Sequence, residues 1–394
     1  MVQIIRKARL PLASDLRASP GVASTQANSI KLREARPEGF PLLFSADMQL
    51  IEPAVEFLHE HFVQRGHTLD TLRTYTEILY DWFETLEQNH INWAKADAVD
   101  LVAYRNRMMK ENSAHTGRPY RISTINHRVR GILRFYDWAV RSNWLPSSEI
   151  AGDSTSFSIS RRGRHTPTGG GQTAVRSMFV LRQYEALPQP LTSEQARELL
   201  SRLSPPYDLM ARWQIYTGLR VSELLRLSSK AVTPDIVVDA SHRTIDVMRK
   251  GRKPGYVIAP ASLIDETMSY SSLERTAWLR RAERKGRVTG HDELFINARG
   301  APVGKSAYQR VVSQAGESGG FKCTTHLLRA TFACMMLARL ERLASAGAAI
   351  NPLLIVKVLM GHERIETTDR YLRAIAVESH VLKDVLETLL SGVE

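Results

Sequence analysis

Apolar residues recur every three or four positions over most of the chain, which is the spacing of one face of an α-helix. Four such segments follow one another in the first half, at residues 48–66, 68–89, 97–111 and 122–145. Gly66 ends the first, as is common for helices, and Leu72, Tyr75, Leu79 and Trp82 line one face of the second. Four short helices in succession predict a compact bundle.

The second half is also mainly helical, but short alternating runs interrupt it. Helices are predicted at residues 191–203, 207–218, 220–229, 306–316, 326–345, 352–361, 366–375 and 378–390, and Thr192 with Glu194 and Gln195 offers capping groups to the first. The runs 236–239, 244–248 and 256–260 alternate, and the turn-like sequence KGRKPG separates the last two. The pattern therefore predicts a mainly α chain with a small antiparallel β-sheet.

Composition divides the chain into four parts. Residues 1–45 are rich in Pro, Ser and Arg and lack periodicity, so we interpret them as an N-terminal extension. Residues 46–146 are the predicted helical domain, and residues 191–394 are a second domain that includes the last helix. Between them, residues 147–190 contain a Ser-, Gly- and Arg-rich run that predicts a basic flexible linker.

The charge balance favours a polyanionic partner. Lys and Arg number 53 against 41 Asp and Glu, for a net charge of +12, and each Lys or Arg that neutralises a phosphate of such a partner releases condensed counterions. A basic protein without such a partner is the alternative. Candidate DNA contacts, which could equally be a solvated helix face or incidental linker charge, are Arg121, Arg128, Arg130, Arg134, Arg161, Arg162 and Arg164.

Other classes of protein fit the sequence less well. The longest apolar runs, such as residues 352–360, are too short to cross a bilayer, and the first residues lack the apolar core of a secretory signal. His59 and His61 would lie on different faces of a helix, and Cys323 and Cys334 suit a core, so no metal site is predicted. A reducing, cytoplasmic setting fits best.

Three short motifs carry candidate chemistry. In TGLRVSEL, Arg220 follows a glycine at a helix start and Glu223 lies one turn later, although such a pair is usually a surface salt bridge. In HLLRATFA, His326 and Arg329 share a face of an otherwise apolar helix, so their partner is either a phosphate or a structural carboxylate. In LMGH, His362 follows a helix end, and Tyr371 comes nine residues later.

The ordered set TGLRVSEL, the KGRK turn, HLLRATFA and LMGH with its following tyrosine strongly resembles the active site of the tyrosine recombinase, or phage integrase, family. The resemblance covers residues 190–390. Residues 47–146 look like the family's core-binding, SAM-like DNA-binding domain by length, position and helix content. The resemblance thus implies a helical core-binding bundle followed by an α-rich catalytic domain.

The resemblance also implies a role for each residue. Arg220 and Arg329 would clamp the scissile phosphate, and Tyr371 would attack it to form a 3'-phosphotyrosyl link. A lysine of the turn would protonate the leaving oxygen, with Lys250 the best match and Lys253 the runner-up. His326 and His362 would assist proton transfer, and Glu223 would orient Arg220. No cofactor, metal ion or ATP is expected.

The implied function is site-specific DNA recombination by a tetramer on paired DNA sites, in the bacterial cytoplasm at the nucleoid. The basic extension and linker favour an enzyme of a mobile element. A resolvase of chromosome or plasmid dimers is the alternative, and a type IB topoisomerase or an inert DNA-binding regulator are further ones. The sequence departs from the family at Ala330, where a second histidine is common. It also departs between Arg329 and His362, where the stretch that includes residues 342–351 is longer than usual.

Overall fold

The structure is a computed structural model. It describes residues 2–5, 40–61, 66, 69–113, 116–152, 178–183, 187–232, 241–249, 253–363 and 365–378. The chain divides into two compact units, Met1–Tyr184 and Glu185–Glu394. Among the described helices, none has the length and apolar character needed to cross a membrane.

The N-terminal unit is a bundle of helices. Helices α1 to α5 span Glu52–His59, Leu69–Gln88, Ala98–Lys110, Ile122–Arg141 and Glu149–Gly152. Their apolar faces meet in an aromatic core, in which Phe57, Trp82 and Phe135 are fully buried. The four predicted helices are all present. The first begins later than predicted because Pro53, which suits only the first turn, lies at its start.

A small sheet in this unit was not predicted. Strand β1, Gln3–Ile5, pairs antiparallel with β2, Leu42–Phe44. Val2, Leu42 and Leu43 are buried in the bundle core. Strands of three residues offer too few positions for an alternating pattern to stand out, so sequence reasoning assigned this part of the chain to an extension.

The C-terminal unit is mainly helical around one hairpin. Helices α6 to α8 span Ser193–Ser201, Tyr207–Thr217 and Val221–Leu224. Strands β3, His242–Met248, and β4, Pro254–Pro260, follow. Helices α9 to α14 span Ala261–Tyr270, Thr276–Glu283, Lys305–Ser318, Thr325–Ser345, Pro352–Met360 and Glu366–Glu378.

The hairpin has the antiparallel register predicted from the alternating runs, with Ile245 opposite Val257 and Met248 opposite Pro254. The prediction of a mainly α chain with a small antiparallel sheet is confirmed. The third predicted strand, 236–239, lies outside the described residues, as does most of the last predicted helix. Helices α9 and α10 were not predicted. They are joined by a π-helical turn, Ser271–Arg275, which interrupts the 3.6-residue periodicity.

Two glycines end the helices that lead to the candidate site. Gly218 ends α7 and Gly361 ends α13, and both have left-handed backbones, with φ of +67° and +59°. A residue with a Cβ atom adopts that conformation only at a cost in free energy. Each glycine reverses the chain just before a motif residue, Arg220 in one case and His362 in the other.

Replacing Gly218 with alanine should destabilise the C-terminal unit by about 3 kcal/mol. Alanine is disfavoured in the left-handed backbone conformation, and its methyl group would overlap with neighbouring side chains. The added Cβ would lie 2.9 Å from the Met360 Sδ and 2.8 Å from the Phe332 Cε1. Gly286 is the matched control, because it has a φ of +64° and nothing within 4 Å of its Cβ position. Its alanine variant should lose only about 1 kcal/mol in chemical denaturation. Equal losses in the two variants would contradict the packing argument.

Candidate active site

A buried carboxylate collects three guanidinium groups. Glu223 has no exposed side-chain surface, and its Oε1 accepts a bond from the Arg220 Nη1 at 2.7 Å. Its Oε2 accepts from the Arg249 Nη1 at 3.2 Å and from the Arg220 backbone N–H at 2.9 Å, and lies 3.8 Å from the Arg329 Nη1. Three positive charges therefore meet one negative charge.

Arg329 is the most deeply buried of the three arginines, with 3% of its side chain exposed. Its Nη1 donates to the Gly218 carbonyl and its Nη2 to the Met360 carbonyl, so both helix ends described above hold it in place. Burial, and next the charge of Arg220, lower the pKa of Arg329 to about 9. The group is still charged at neutral pH, and an anion at this point would relieve the strain between like charges.

His362 lies directly against Arg329. The Arg329 Nη2 lies 3.2 Å from the His362 Nε2, and since a guanidinium can only donate, Nε2 is the acceptor. The proton must then be on Nδ1, which lies 2.8 Å from the hydroxyl oxygen of buried Thr368. Partial burial, and then the charges of Arg329 and Arg220, lower the pKa of His362 to about 3. Its ring is therefore neutral in the absence of a ligand.

Without DNA, His362 should stay a neutral Nδ1–H tautomer down to about pH 4, as read by NMR of its ring nitrogens. Unfolded histidine has a pKa of about 6.5, so between pH 6.5 and 3 the unfolded chain binds a proton that the folded site does not. The stability that His362 contributes is thus present above pH 6.5 and is lost as pH falls.

The loss should be at most about 1 kcal/mol per pH unit, because the ring is partly exposed. His362→Gln should remove this part of the pH dependence in chemical denaturation. A ring that titrates between pH 6 and 7 in the free protein would overturn the prediction.

Tyr371 lies in the same cluster, on helix α14. Its ring is 2% exposed, packs among Met360, Cys334 and Ala374, and stacks on the His362 ring with centroids 6.1 Å apart and planes 13° apart. Burial raises the pKa of Tyr371, whereas the charge of Arg329 lowers it. Its hydroxyl makes no hydrogen bond to any residue in the described part of the chain.

Each of the two units contains a segment that matches a known protein family. Residues 189–376 match the model of the "Phage integrase family", and residues 54–143 match that of "Phage integrase, N-terminal SAM-like domain". The chain belongs to the tyrosine recombinase (phage integrase) family. Both matched segments are those in which the sequence alone resembles the family.

Relatives of this recombinase include "Tyrosine recombinase XerC" of Halalkalibacterium halodurans, 26% identical over 82% of this chain and 91% of the relative. XerC of Chromohalobacter salexigens is 29% identical over 81% of this chain and 90% of that relative. Among solved structures, XerH bound to palindromic difH in a post-cleavage complex matches with a TM-score of 0.54, at 18% identity over 85% of this chain and 89% of that one. A lambda integrase dimer bound to a COC' core site matches with a TM-score of 0.52, at 14% identity over 82% of this chain and 76% of that one. At these identities the structures show a shared fold.

Five of the six predicted catalytic residues of this recombinase lie within the described chain, and four of them are joined by the contacts above. These four are Arg220, Arg329, His362 and Tyr371. His326 begins the same helix as Arg329 and is exposed. Partial desolvation, and then the charges of Arg329, Arg370 and Arg220, lower its pKa, so His326 lies within the same positive field.

Lys250, the sixth, lies outside the described residues. The runner-up, Lys253, is exposed, and its Nζ donates to the Glu363 Oε1 at 2.7 Å. Glu363 follows His362, so this pair links the hairpin to the segment between α13 and α14. An exposed pair of this kind stabilises by less than about 1 kcal/mol.

The predicted DNA contacts of the N-terminal unit fall into two groups. Arg121 is exposed, and Arg130 is half-buried. Arg128 donates to Asp81 at 2.6 Å with 19% of its side chain exposed, and Arg134 donates to the Tyr75 hydroxyl. These two arginines therefore have partners inside the bundle. Arg161, Arg162 and Arg164 lie outside the described residues.

Sequence reasoning missed Arg249 and Thr368. Arg249 is 7% exposed, although it belongs to a basic turn sequence that favours the surface. The available signal was the alternation of β3, in which Ile245 and Val247 are buried and Arg249 continues the same face. Thr368, six residues after His362, carried no comparable signal, because only the turn between α13 and α14 brings the two together.

Proposed function

We propose that this chain is a site-specific DNA recombinase that cuts and rejoins DNA through a 3'-phosphotyrosyl bond to Tyr371, without a metal ion or ATP. The observation that carries the proposal is the set of three guanidiniums on one buried carboxylate, beside the Tyr371 and His362 rings. Buried like charges are costly unless an anion balances them, and a DNA phosphate is an anion of the right size.

Arg220 and Arg329 would hold the non-bridging oxygens of the scissile phosphate. Arg220 is the more accessible of the two, with 30% of its side chain exposed, and Glu223 with the Gly361 carbonyl fixes its direction. Charge that develops on the phosphate during attack is then neutralised by groups already in place, which is worth several kcal/mol. This neutralisation takes over the task that a metal ion performs in other phosphoryl-transfer enzymes.

The nucleophile would be the Tyr371 oxygen. As the O–P bond forms, the phenol loses its proton, and the accepting side of His362, its Nε2, is one place for that proton to go. A bound phosphate would raise the pKa of His362 by opposing the arginine charges that now lower it. His326 would bond the same phosphate from the start of α12.

The leaving group is the 5'-oxygen of the broken strand. Lys250 would give it a proton from its ammonium group as the P–O5' bond breaks, with Lys253 the alternative donor. The products are a phosphotyrosyl bond and a free 5'-hydroxyl. Attack by a second 5'-hydroxyl reverses the chemistry and returns the proton to the lysine, so the bond energy is kept and no ATP is consumed.

The proposed partners are duplex DNA with specific recombination sites and further copies of this chain, assembled as a tetramer on two sites. The solved relatives named above were crystallised with DNA, one of them as a dimer. The C-terminal unit also exposes apolar side chains on α12 and α13, including Met335, Leu354 and Val358. The predicted last helix, 378–390, would cover an apolar face of this kind, either within its own chain or on a neighbouring subunit.

A pool of duplex oligonucleotides with randomised sequence and one nick tests the proposal. A nick near the cleavage site lets the short product diffuse away, so the protein stays attached to DNA. In EDTA and without ATP, we expect SDS-resistant adducts that share a sequence motif. Relaxation of supercoiled plasmid without a specific site would instead identify a type IB topoisomerase. Binding without any adduct would identify an inert regulator.

The biological role proposed is movement of a mobile genetic element, because the chain carries a basic extension and a basic linker besides the two matched domains. It would act in the bacterial cytoplasm at the nucleoid. Inverted repeats beside the gene that contain the selected motif would support this role. A motif found once, far from the gene, would support resolution of chromosome or plasmid dimers instead.

A further inference from the structure

Arg249 joins three separate parts of the site. It follows strand β3, and its Nη2 donates to the carbonyl of Tyr256 on β4 at 2.6 Å and to that of Leu359 on α13 at 2.9 Å. Its Nη1 donates to Glu223 on α8 at 3.2 Å. One side chain therefore ties the hairpin to the helix that carries Glu223 and to the helix that ends just before His362.

Two glycines leave room for this side chain. A Cβ on Gly255 would lie 2.7 Å from the Arg249 Cγ, and a Cβ on Gly361 would lie 3.0 Å from its Nε. A larger residue at either position would crowd the Arg249 side chain. The hairpin and the end of α13 therefore pack closely around the Arg249 side chain, unlike the surroundings of an exposed arginine.

We propose that Arg249 is a positioning residue for DNA cleavage, which acts by fixing the backbone after β3, next to Lys250 in the sequence. This inference rests on the proposed function, in which Lys250 protonates the leaving oxygen. Arg249 immediately precedes Lys250 in the chain, and its backbone N–H donates to the Lys253 carbonyl at 2.8 Å, which closes the base of the turn. A proton donor must be held within hydrogen-bond reach of the atom that it protonates.

Burial separates Arg249 from Arg220, the more open arginine of the proposed phosphate clamp. Only 9% of the Arg249 side chain is exposed, against 30% for Arg220, and three of its five N–H groups already have protein acceptors. Arg329 is buried and bonded to protein acceptors as well, so altered substrates are needed to separate the role of Arg249 from that of Arg329. Arg249 also adds positive charge that lowers the pKa of His362, so a direct charge effect on the phosphate is the alternative to be tested.

Two altered substrates distinguish the alternatives. A 5'-bridging sulfur leaves as a thiolate, and because a thiol has a pKa of about 8.5 it departs without a proton donor. A methylphosphonate carries no charge on its non-bridging atoms and needs less neutralisation. Arg249→Gln and Arg249→Lys would be compared with Lys250→Ala, Arg329→Gln and, as a matched exposed control, Arg281→Gln. Adduct formation would be measured on the normal, sulfur and methylphosphonate forms of one nicked duplex.

We expect Arg249→Gln and Lys250→Ala to cleave the normal duplex about 10²-fold more slowly than wild type, and the sulfur duplex within roughly threefold of it. Methylphosphonate should bring the cleavage rate of Arg329→Gln, which has lost its positive charge, closer to that of wild type, and should leave the Arg249 variants slow. Each variant is judged by the ratio of its rates on two substrates, which does not depend on the fraction of folded protein. Arg249→Lys, which keeps the charge opposite Glu223, serves if the glutamine variant folds poorly.

Three results would overturn the inference. One is an Arg249 variant equally slow on normal and sulfur duplexes while Lys250→Ala is rescued. Another is rescue by methylphosphonate, which would assign Arg249 to the phosphate clamp. The third is a normal cleavage rate in both Arg249 variants. Absence of any adduct with the wild-type protein would instead count against the proposed function itself.

Discussion

Tyr371→Phe should reduce covalent attachment to a nicked duplex by at least about 10³-fold, because it removes the only atom proposed to bond to phosphorus. The ring would remain among Met360, Cys334 and Ala374 and stacked on His362. The hydroxyl makes no hydrogen bond to the described residues, so the free energy of unfolding should change by less than about 0.5 kcal/mol. DNA affinity in a gel-shift assay should be nearly unchanged, since binding depends mainly on phosphate contacts.

Tyr216→Phe is the matched control for this experiment. It makes the same chemical change in the same unit, on a side chain that is 48% exposed, and should leave adduct formation at the wild-type level. An adduct that persists in Tyr371→Phe would show that another residue is the nucleophile. Peptide mapping of the DNA-linked fragment would then identify it.

Arg329→Lys should slow cleavage by about 10²- to 10³-fold while keeping the positive charge. Lysine cannot reproduce the planar fork that reaches both the Gly218 and Met360 carbonyls and also contacts the His362 ring. A buried carbonyl left without a donor costs about 1–3 kcal/mol, so the variant should also be less stable in chemical denaturation. The salt dependence of DNA binding should change little, because the charge that meets the phosphate is kept.

Arg281→Lys provides the control for Arg329, because Arg281 is exposed on α10, a helix that contributes none of the predicted catalytic residues. It should match wild type in both cleavage and stability. Cleavage at the wild-type rate by Arg329→Lys would mean that charge alone suffices at this position. The bidentate clamp would then have to be abandoned.

Much of the fold followed from the sequence because its signals are local. Helices with one apolar face, such as α2 and α4, were predicted from periodicity, and the capping pair Thr192 and Gln195 marks the start of α6 in both sequence and structure. The elements that were not predicted were also missed for local reasons. Three-residue strands are too short to show alternation, and the π-helical turn after α9 breaks the repeat that would have revealed α9 and α10.

For the site, the sequence by itself determined which residue types are present and in what order. These are Arg220, His326, Arg329, His362 and Tyr371, with Gly218 shortly before Arg220 and Gly361 directly before His362. That was enough to recognise the family, because these motifs are short and each lies within one helix or turn. Tertiary structure alone decided that Glu223 holds three arginines rather than one, that Arg249 is buried, and that the Arg329 guanidinium fixes the tautomer of His362. Most of these contacts join residues far apart in the chain. Their energies depend on burial that several segments create together, so no single segment of the sequence predicts them.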